Sequence, residues 1–345
     1  MDNESRTELE DLGEFGLIDR IKSTAELVND SSVLGIGDDA ALIDAGEHYK
    51  VVSTDLLIEG VHFDLSYYPL KHLGYKAVSV NVSDIAAMNA KPEQILVNLA
   101  LSNRFSVEAI DEFYKGVKLA CEDFKVDLVG GDTSASTSGL FISITAIGTV
   151  AKNKVSRRDG AKGGDIICAT GDLGGAYIGL QVLVREKEVF MADPNMQPQL
   201  DKYEYMVGRQ LKPVARMDII HELEELGIVP TSMIDISDGL ASELLHLSKK
   251  SGLGVKIYED KLPIDNQTYE AAVEFNLDPV TCALNGGEDY ELLFTINQED
   301  FKKLDKHPDI HFIGYMDAKD EEVGLVTKNE SWVPLKAQGW KHFDK

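Results

Sequence analysis

The chain has 345 residues, 43% of them hydrophobic, which is enough for two domains of ordinary size, each with its own core. A formal net charge of −25 argues against tracking along a nucleic-acid backbone, which needs clustered Lys and Arg to displace counterions. No apolar stretch approaches the roughly 20 residues of a bilayer span, and residues 1–14 are acidic and polar where a signal peptide is basic and then apolar; a cytoplasmic protein is expected, with neither nucleic acid nor membrane as partner.

Phe15, Ile18, Ile21, Ala25 and Val28 recur at helical spacing, and Tyr49–Asp55 reads as a β-branched strand. Leu73, Ala77, Val80, Asp84 and Met88 then mark one face of a helix, which places Asp84 among apolar neighbours. A strand at Ile95–Leu101, a helix through Ile110, Phe113, Val117, Cys121 and Phe124, and strands at Val126–Val129 and Leu140–Val150 complete a mixed α/β first half. Residues 151–165 lack periodic apolar positions and are rich in Lys, Arg, Gly and Asp, as in a connection between domains. We therefore expect one domain over 1–152 and a second over 153–345.

In the second half, a strand at Ile166–Ala169 precedes a helix at Gly174–Val184 and a polar insertion at Glu186–Gln199. Helices at Met217–Leu226 and Gly239–Lys250 flank a strand at Met233–Ile236, and strands follow at Val255–Tyr258, Tyr290–Thr295 and His311–Tyr315. Cys121, Cys168 and Cys282 form no CxxC pair and have no neighbouring His, so buried free thiols are expected rather than a disulfide framework or a zinc site.

Gly35-Ile36-Gly37-Asp38-Asp39-Ala40 formally fits a dinucleotide fingerprint, but no helix pattern follows it, and two carboxylates at the phosphate position would repel the pyrophosphate. They make sense only with a divalent cation between them. The same theme, a carboxylate beside a hydroxyl or glycine, recurs at element ends in Ser53-Thr54-Asp55, Ser83-Asp84, Gly130-Gly131-Asp132-Thr133 and Asp235-Ile236-Ser237-Asp238-Gly239. Singly, each could be a cap or turn residue, Asp238 above all. Together they match Mg²⁺, which prefers oxygen ligands shared with substrate phosphates. An aspartate in an apolar helix stripe, such as Asp84, is costly unless paired or metal-bound. There is no Gly-Lys dipeptide and so no Walker A loop, and an aspartate-held magnesium cluster can replace one in phosphoryl transfer. Arg158, in the loop Ser156-Arg157-Arg158-Asp159-Gly160, is the best candidate for a helping cation.

Taken in order, these segments resemble the thiamine-monophosphate kinase family of the aminoimidazole ribonucleotide synthetase-like superfamily. The resemblance also runs through Gly13–Ile18, Gly60-Val61-His62-Phe63, Lys76–Met88, Arg158–Lys162 and Gly286-Gly287-Glu288-Asp289-Tyr290-Glu291-Leu292, and so covers nearly the whole chain. It implies transfer of the γ-phosphate of ATP to thiamine monophosphate, in a homodimer whose N-terminal domains pair their sheets with ATP near the interface. By this resemblance Asp39, Ser53, Thr54, Asp55, Asp84, Asp132, Asp235 and Asp238 are Mg²⁺ ligands, with Asp55, Asp84, Asp132 and Asp238 closest to the chemistry. Gly131, Asp132, Arg158, Ser237 and Tyr114 would contact ATP, and His62, Glu288 and Trp340 would contact thiamine monophosphate. The 186–199 insertion has no assigned counterpart. Within the superfamily the rival is selenophosphate synthetase, which needs a reactive Cys or selenocysteine near the N-terminus, whereas the first cysteine here is Cys121. A non-catalytic relative would have lost carboxylates that are all present.

Overall fold

The structure is a computed structural model that describes residues 8–338. The first half runs α1 (Leu9–Lys22), β1 (Ser32–Leu34), β2 (Ala41–Ala45), β3 (His48–Ile58), α2 (Leu70–Ala87), β4 (Lys91–Leu101), α3 (Val107–Phe124), β5 (Asp127–Ala135) and β6 (Leu140–Ala151). Its six strands lie in the order β1-β2-β3-β6-β4-β5, with only β4 and β5 parallel.

Strand β6 alternates as its sequence does: Leu140, Ile142, Ile144, Ala146 and Val150 are buried, while Phe141, Ser143, Thr145, Ile147 and Thr149 are only half-buried. The buried face packs on α2. The outer face is open in the single chain, with Leu56 52% and Ile43 40% exposed. Behind α2 lies α3, and two glycines let them approach: a Cβ on Gly116 would stand 1.8 Å from the Lys71 carbonyl oxygen, and one on Gly74 2.1 Å from that of Phe113.

The second half contains β7 (Ile166–Thr170), α4 (Gly175–Ala192), α5 (Glu204–Leu211), α6 (Met217–Glu225), β8 (Ser232–Asp235), α7 (Leu240–Ser251), β9 (Gly254–Tyr258), α8 (Asn266–Glu274), α9 (Pro279–Asn285), β10 (Leu292–Ile296), α10 (Phe301–Leu304), β11 (Ile310–Asp317), β12 (Val323–Val326) and β13 (Trp332–Pro334). Its seven strands are ordered β13-β12-β9-β11-β7-β10-β8. Two sheets carrying helices make a mixed α/β fold. Between β6 and β7, residues 152–165 hold neither helix nor strand. Helix α2 also touches β8, α5 and α6, so one hydrophobic core joins the two halves and a second lies wholly in the C-terminal half. Among the described residues no helix is long and apolar enough to cross a membrane.

Several sequence expectations are corrected. The first helix spans Leu9–Lys22 rather than continuing to Val28, because Ser23 and Thr24 donate their hydroxyls back to the Arg20 and Ile21 carbonyls and close the last turn. Half of the supposed polar insertion continues α4 to Ala192; Glu186 is buried there and accepts the Gln199 N–H at 2.8 Å. The Ser53–Asp55 and Gly130–Thr133 motifs lie inside β3 and β5, not at element ends. Strand β6 is central, hydrogen-bonded to β3 and β4, and the open edge is β5, exposed along its whole length.

Candidate active site

A cavity of about 850 Å³ opens between the halves, lined by Asp55, His62 and Asp84 from the first and by Asp235, Ser237, Asp238 and Glu288 from the second. At its acidic end the loop after β1 supplies Asp39, the last turn of α2 supplies Asp84 and the end of β8 supplies Asp235, one oxygen of each within 4.8 Å of the others. Like charges at about 4 Å repel by roughly 4 kcal/mol at an effective dielectric of about 20. The titration of the group reflects this. Burial, then Asp55, Asp235 and Asp39, push the Asp84 carboxyl well above the usual range. Burial and then Asp39 raise Asp235 to about 8, and burial raises Asp55 to about 6. Asp38, next in the chain to Asp39, is raised to about 7 by burial and then by Asp39.

Two hydroxyls hold carboxylates of the cluster, and Asn81 holds the Asp55 backbone. Ser53 donates to Asp84, Ser83 Oγ donates to Asp235 Oδ2 at 2.6 Å, and the backbone N–H of Asp55 donates to Asn81 Oδ1 at 3.0 Å. The Arg158 guanidinium forks onto Asp39, Nε to Oδ2 at 3.0 Å and Nη2 to Oδ1 at 2.6 Å. The donor set is all oxygen, without His or Cys, and carries more negative charge than Arg158 balances. A hard divalent cation fits that chemistry.

Strand alternation sorts the remaining assigned ligands onto two faces. Ser53 and Asp55 point inward toward α2, whereas Thr54 points outward, its hydroxyl donating to the Ile144 carbonyl at 3.0 Å. Asp132 of β5 is in register with Asn98 of β4, Asn98 with Ser143 of β6, and Ser143 with Leu56 of β3. Asp132 therefore shares the outer face with Thr54 and lies three strands from β3, on the order of 14 Å along the sheet. Its neighbour Gly131 is required by close approach: a Cβ there would fall 1.8 Å from the Val97 carbonyl oxygen. Tyr114, on α3, packs edge-on against Phe113, and neither it nor Asp132 lines the cavity. Trp340 lies outside the described residues; Gln338, two positions earlier, lines the cavity and donates its N–H to Asn285 Oδ1 at 3.0 Å.

The loop carrying Ser237 and Asp238 enters α7 through Gly239, an N-cap with no side chain to offer. Instead Glu243, buried one turn into α7, accepts the Ser237 and Asp238 N–H groups on Oε1 at 3.0 and 2.8 Å. His62, which lines the cavity along with Tyr67, Tyr177 and Leu277, accepts the Ile58 N–H on Nδ1 at 2.9 Å. Glu288 stands in left-handed backbone, φ +59°, and receives Lys76 Nζ at 3.0 Å and Gln210 Nε2 at 2.6 Å.

Sequence reasoning gave no role to Lys76, Asn81, Gln210 and Glu243. For Lys76 and Asn81 a signal existed, since both fall within the apolar run of α2 and are 1% exposed. Gln210 had none, because its partner Glu288 is 78 residues away, and Glu243 serves the loop just before its own helix.

A family model described as "AIR synthase related protein, N-terminal domain" matches residues 37–150. The thiamine-monophosphate kinase of Aquifex aeolicus (strain VF5) is 36% identical over 340 residues, covering 97% of this chain and 99% of that protein. That of Bacillus subtilis (strain 168) is 33% identical over 339 residues, covering 96% and 100%. Among solved structures, AaThiL complexed with AMPPCP and TMP is similar at a TM-score of 0.84 and 34% identity, covering 98% of this chain and 100% of that one. Likeness that runs end to end in both sequence and structure leads to one conclusion: the chain belongs to the thiamine-monophosphate kinase family.

Proposed function

We propose that the protein moves the γ-phosphoryl group of ATP in line onto the phosphate of thiamine monophosphate, giving ADP and thiamine diphosphate, with Mg²⁺ at the acidic end of the cavity. The carrying observation is that a single cavity joins an all-oxygen carboxylate cluster to an aromatic wall with a carboxylate, in a chain that aligns end to end with relatives of that name. Bound Mg²⁺ supplies the charge neutralisation that phosphoryl transfer chiefly requires.

In this reading Asp55, Asp84, Asp235 and Asp238 hold the metal from the cavity wall, with Asp39 beside Asp84 and Asp235 and Ser53 beside Asp84, and Arg158, Ser237, Gly131 and Tyr114 contact ATP. His62, Glu288 and Trp340 bind thiamine monophosphate, whose cationic aromatic rings suit a carboxylate and π-faces. The bond from the γ-phosphorus to the bridging oxygen of ADP breaks as one forms to an anionic oxygen of the acceptor phosphate. That oxygen carries no proton at neutral pH, so the step asks no residue to act as a base.

The reading includes a homodimer of the first domain, residues 1–152, with residues 153–345 completing each site. The open outer face and the unpaired β5 edge support it, since such surfaces are ordinarily covered. It also accounts for Thr54 and Asp132, which face outward and would complete the partner-facing side of a site at the interface.

The test is isothermal titration with thiamine monophosphate, with and without Mg²⁺ and a non-hydrolysable ATP analogue, beside an assay for ADP and thiamine diphosphate. Equimolar products that depend on Mg²⁺ are expected. Failure to bind thiamine monophosphate when both Mg²⁺ and the analogue are present would sink the substrate assignment.

A further inference from the structure

Lys76 lies on α2, 1% exposed, in a helix whose neighbouring residues Tyr75 and Ala77 are apolar and buried. An ammonium in such a place needs both a countercharge and hydrogen-bond acceptors. It finds one carboxylate, Glu288, with Nζ 3.0 Å from Oε2, and its next acceptor is the Gln210 carbonyl oxygen at 3.5 Å. The Tyr68 ring lies 5.4 Å from Nζ, and the Tyr68 hydroxyl holds the same Gln210 carbonyl at 2.8 Å. The Gln210 side chain donates to Glu288 Oε2 as well.

Two donors thus converge on one oxygen of Glu288, and among the described residues no hydrogen bond reaches the other. The Glu288 side chain is 28% exposed and lines the cavity. Its backbone is also pinned, the N–H donating to the Ser237 carbonyl at 2.6 Å. We propose that Lys76 is a positioning residue for the substrate: with Gln210 it clamps Oε2 of Glu288 so that Oε1 is presented to the ring end of thiamine monophosphate.

The proposal rests on the reading of Glu288 as a substrate contact given above. Lys76 itself stays behind Glu288 and touches no reacting group, so its influence passes through one carboxylate. Without the clamp that carboxylate rotates among rotamers, and ordering it again weakens binding in ground and transition states alike.

The test is steady-state kinetics and thermal unfolding of Lys76→Met, Glu288→Gln and the double variant. Lys76→Met is expected to raise KM for thiamine monophosphate by about tenfold or more, with kcat and KM for ATP held within about threefold. In the Glu288→Gln background, where the target is already altered, adding Lys76→Met should raise KM little further. If Lys76→Met does not accumulate as folded protein, Lys76→Gln, which keeps one donor without charge, is measured in its place with the same expectations. A raised KM in Glu288→Gln beside an unchanged KM in the Lys76 variant would overturn the positioning role alone. An unchanged KM in Glu288→Gln would sink the substrate reading itself, and the role of Lys76 with it. Equal losses in kcat and in both KM values, whether or not Glu288 is intact, would mark Lys76 as purely structural and also overturn the proposal.

Discussion

Ser83 and Asp235 are joined by a hydrogen bond of 2.6 Å between side chains that are 0% and 4% exposed, and this bond links α2 of the first half to β8 of the second. The residue next to one cluster carboxylate on α2 therefore anchors another across the domain contact. Ser83→Ala should leave Asp235 without that buried donor and destabilise the protein by about 1–3 kcal/mol. Denaturant unfolding at pH 8 measures it, and a midpoint equal to the parent's would show that the bond contributes nothing.

Stability should depend on pH with a sign set by the raised carboxyls. Asp55 and Asp235 titrate near 6 and 8, and Asp84 higher than usual as well, against about 3.9 for an unfolded aspartate. The folded chain then holds protons that the unfolded chain has released. Their contribution is fully present below about pH 4 and is lost as pH rises through about 6 to 8. In EDTA the melting temperature should fall between pH 5 and pH 9, and Mg²⁺ should flatten that fall. A flat profile in EDTA contradicts the electrostatic account of the cluster.

Asp55→Asn and Asp84→Asn should each lower turnover by at least about 100-fold while the fold persists. In metal-free buffer at pH 8 the Asp84→Asn protein should be no less stable than its parent, because the substitution removes a repelled charge. Near-normal activity in either variant at saturating Mg²⁺ would rule out the metal-cluster reading.

The outer face of the first sheet predicts assembly. Sedimentation should show a dimer at micromolar concentration, and Leu56→Glu, at a position 52% exposed in the single chain, should shift it to monomer. Activity should be lost along with the dimer, since Asp132 lies three strands from β3 in its own chain. A fully active monomer would refute both the dimer and the role of Asp132.

Trp340→Ala should raise KM for thiamine monophosphate by about tenfold to a hundredfold, from aromatic and cation–π contact energies of roughly 1–3 kcal/mol. The rings take no part in the chemistry, so kcat and ATP affinity should barely move. Trp340→Phe should recover much of the loss. A lowered melting temperature with an unaltered KM would make the residue a structural anchor only.

The features legible in the sequence are local ones. Asp84 is conspicuous because α2 is otherwise apolar on that face, and Asp39 and Asp235 stand beside glycines and hydroxyls at the ends of strands. The facing of Thr54 against Ser53 also follows from strand periodicity, given that β3 runs unbroken to Ile58. The strand order is not legible, because it depends on pairings between distant segments; β6 reads as a strand, but nothing in it shows its central place between β3 and β4. Helices α5, α8 and α9, 7 to 9 residues long, escape notice because they carry few large apolar residues in period, whereas α6, also 9 residues, shows Met217, Ile219, Ile220 and Leu223. Gln210 escapes for another reason. It serves Glu288, 78 residues away, which only folding brings to it.

Lys76, Val80 and Asp84 follow one another at four-residue steps along α2, so the clamp on Glu288 and the acidic cluster are marked off on a single rigid rod. Eight residues of helix amount to about 12 Å. In the proposed reading the groups that hold the two ends of the substrate are tied to one rod, so a shift of α2 would move both contacts together.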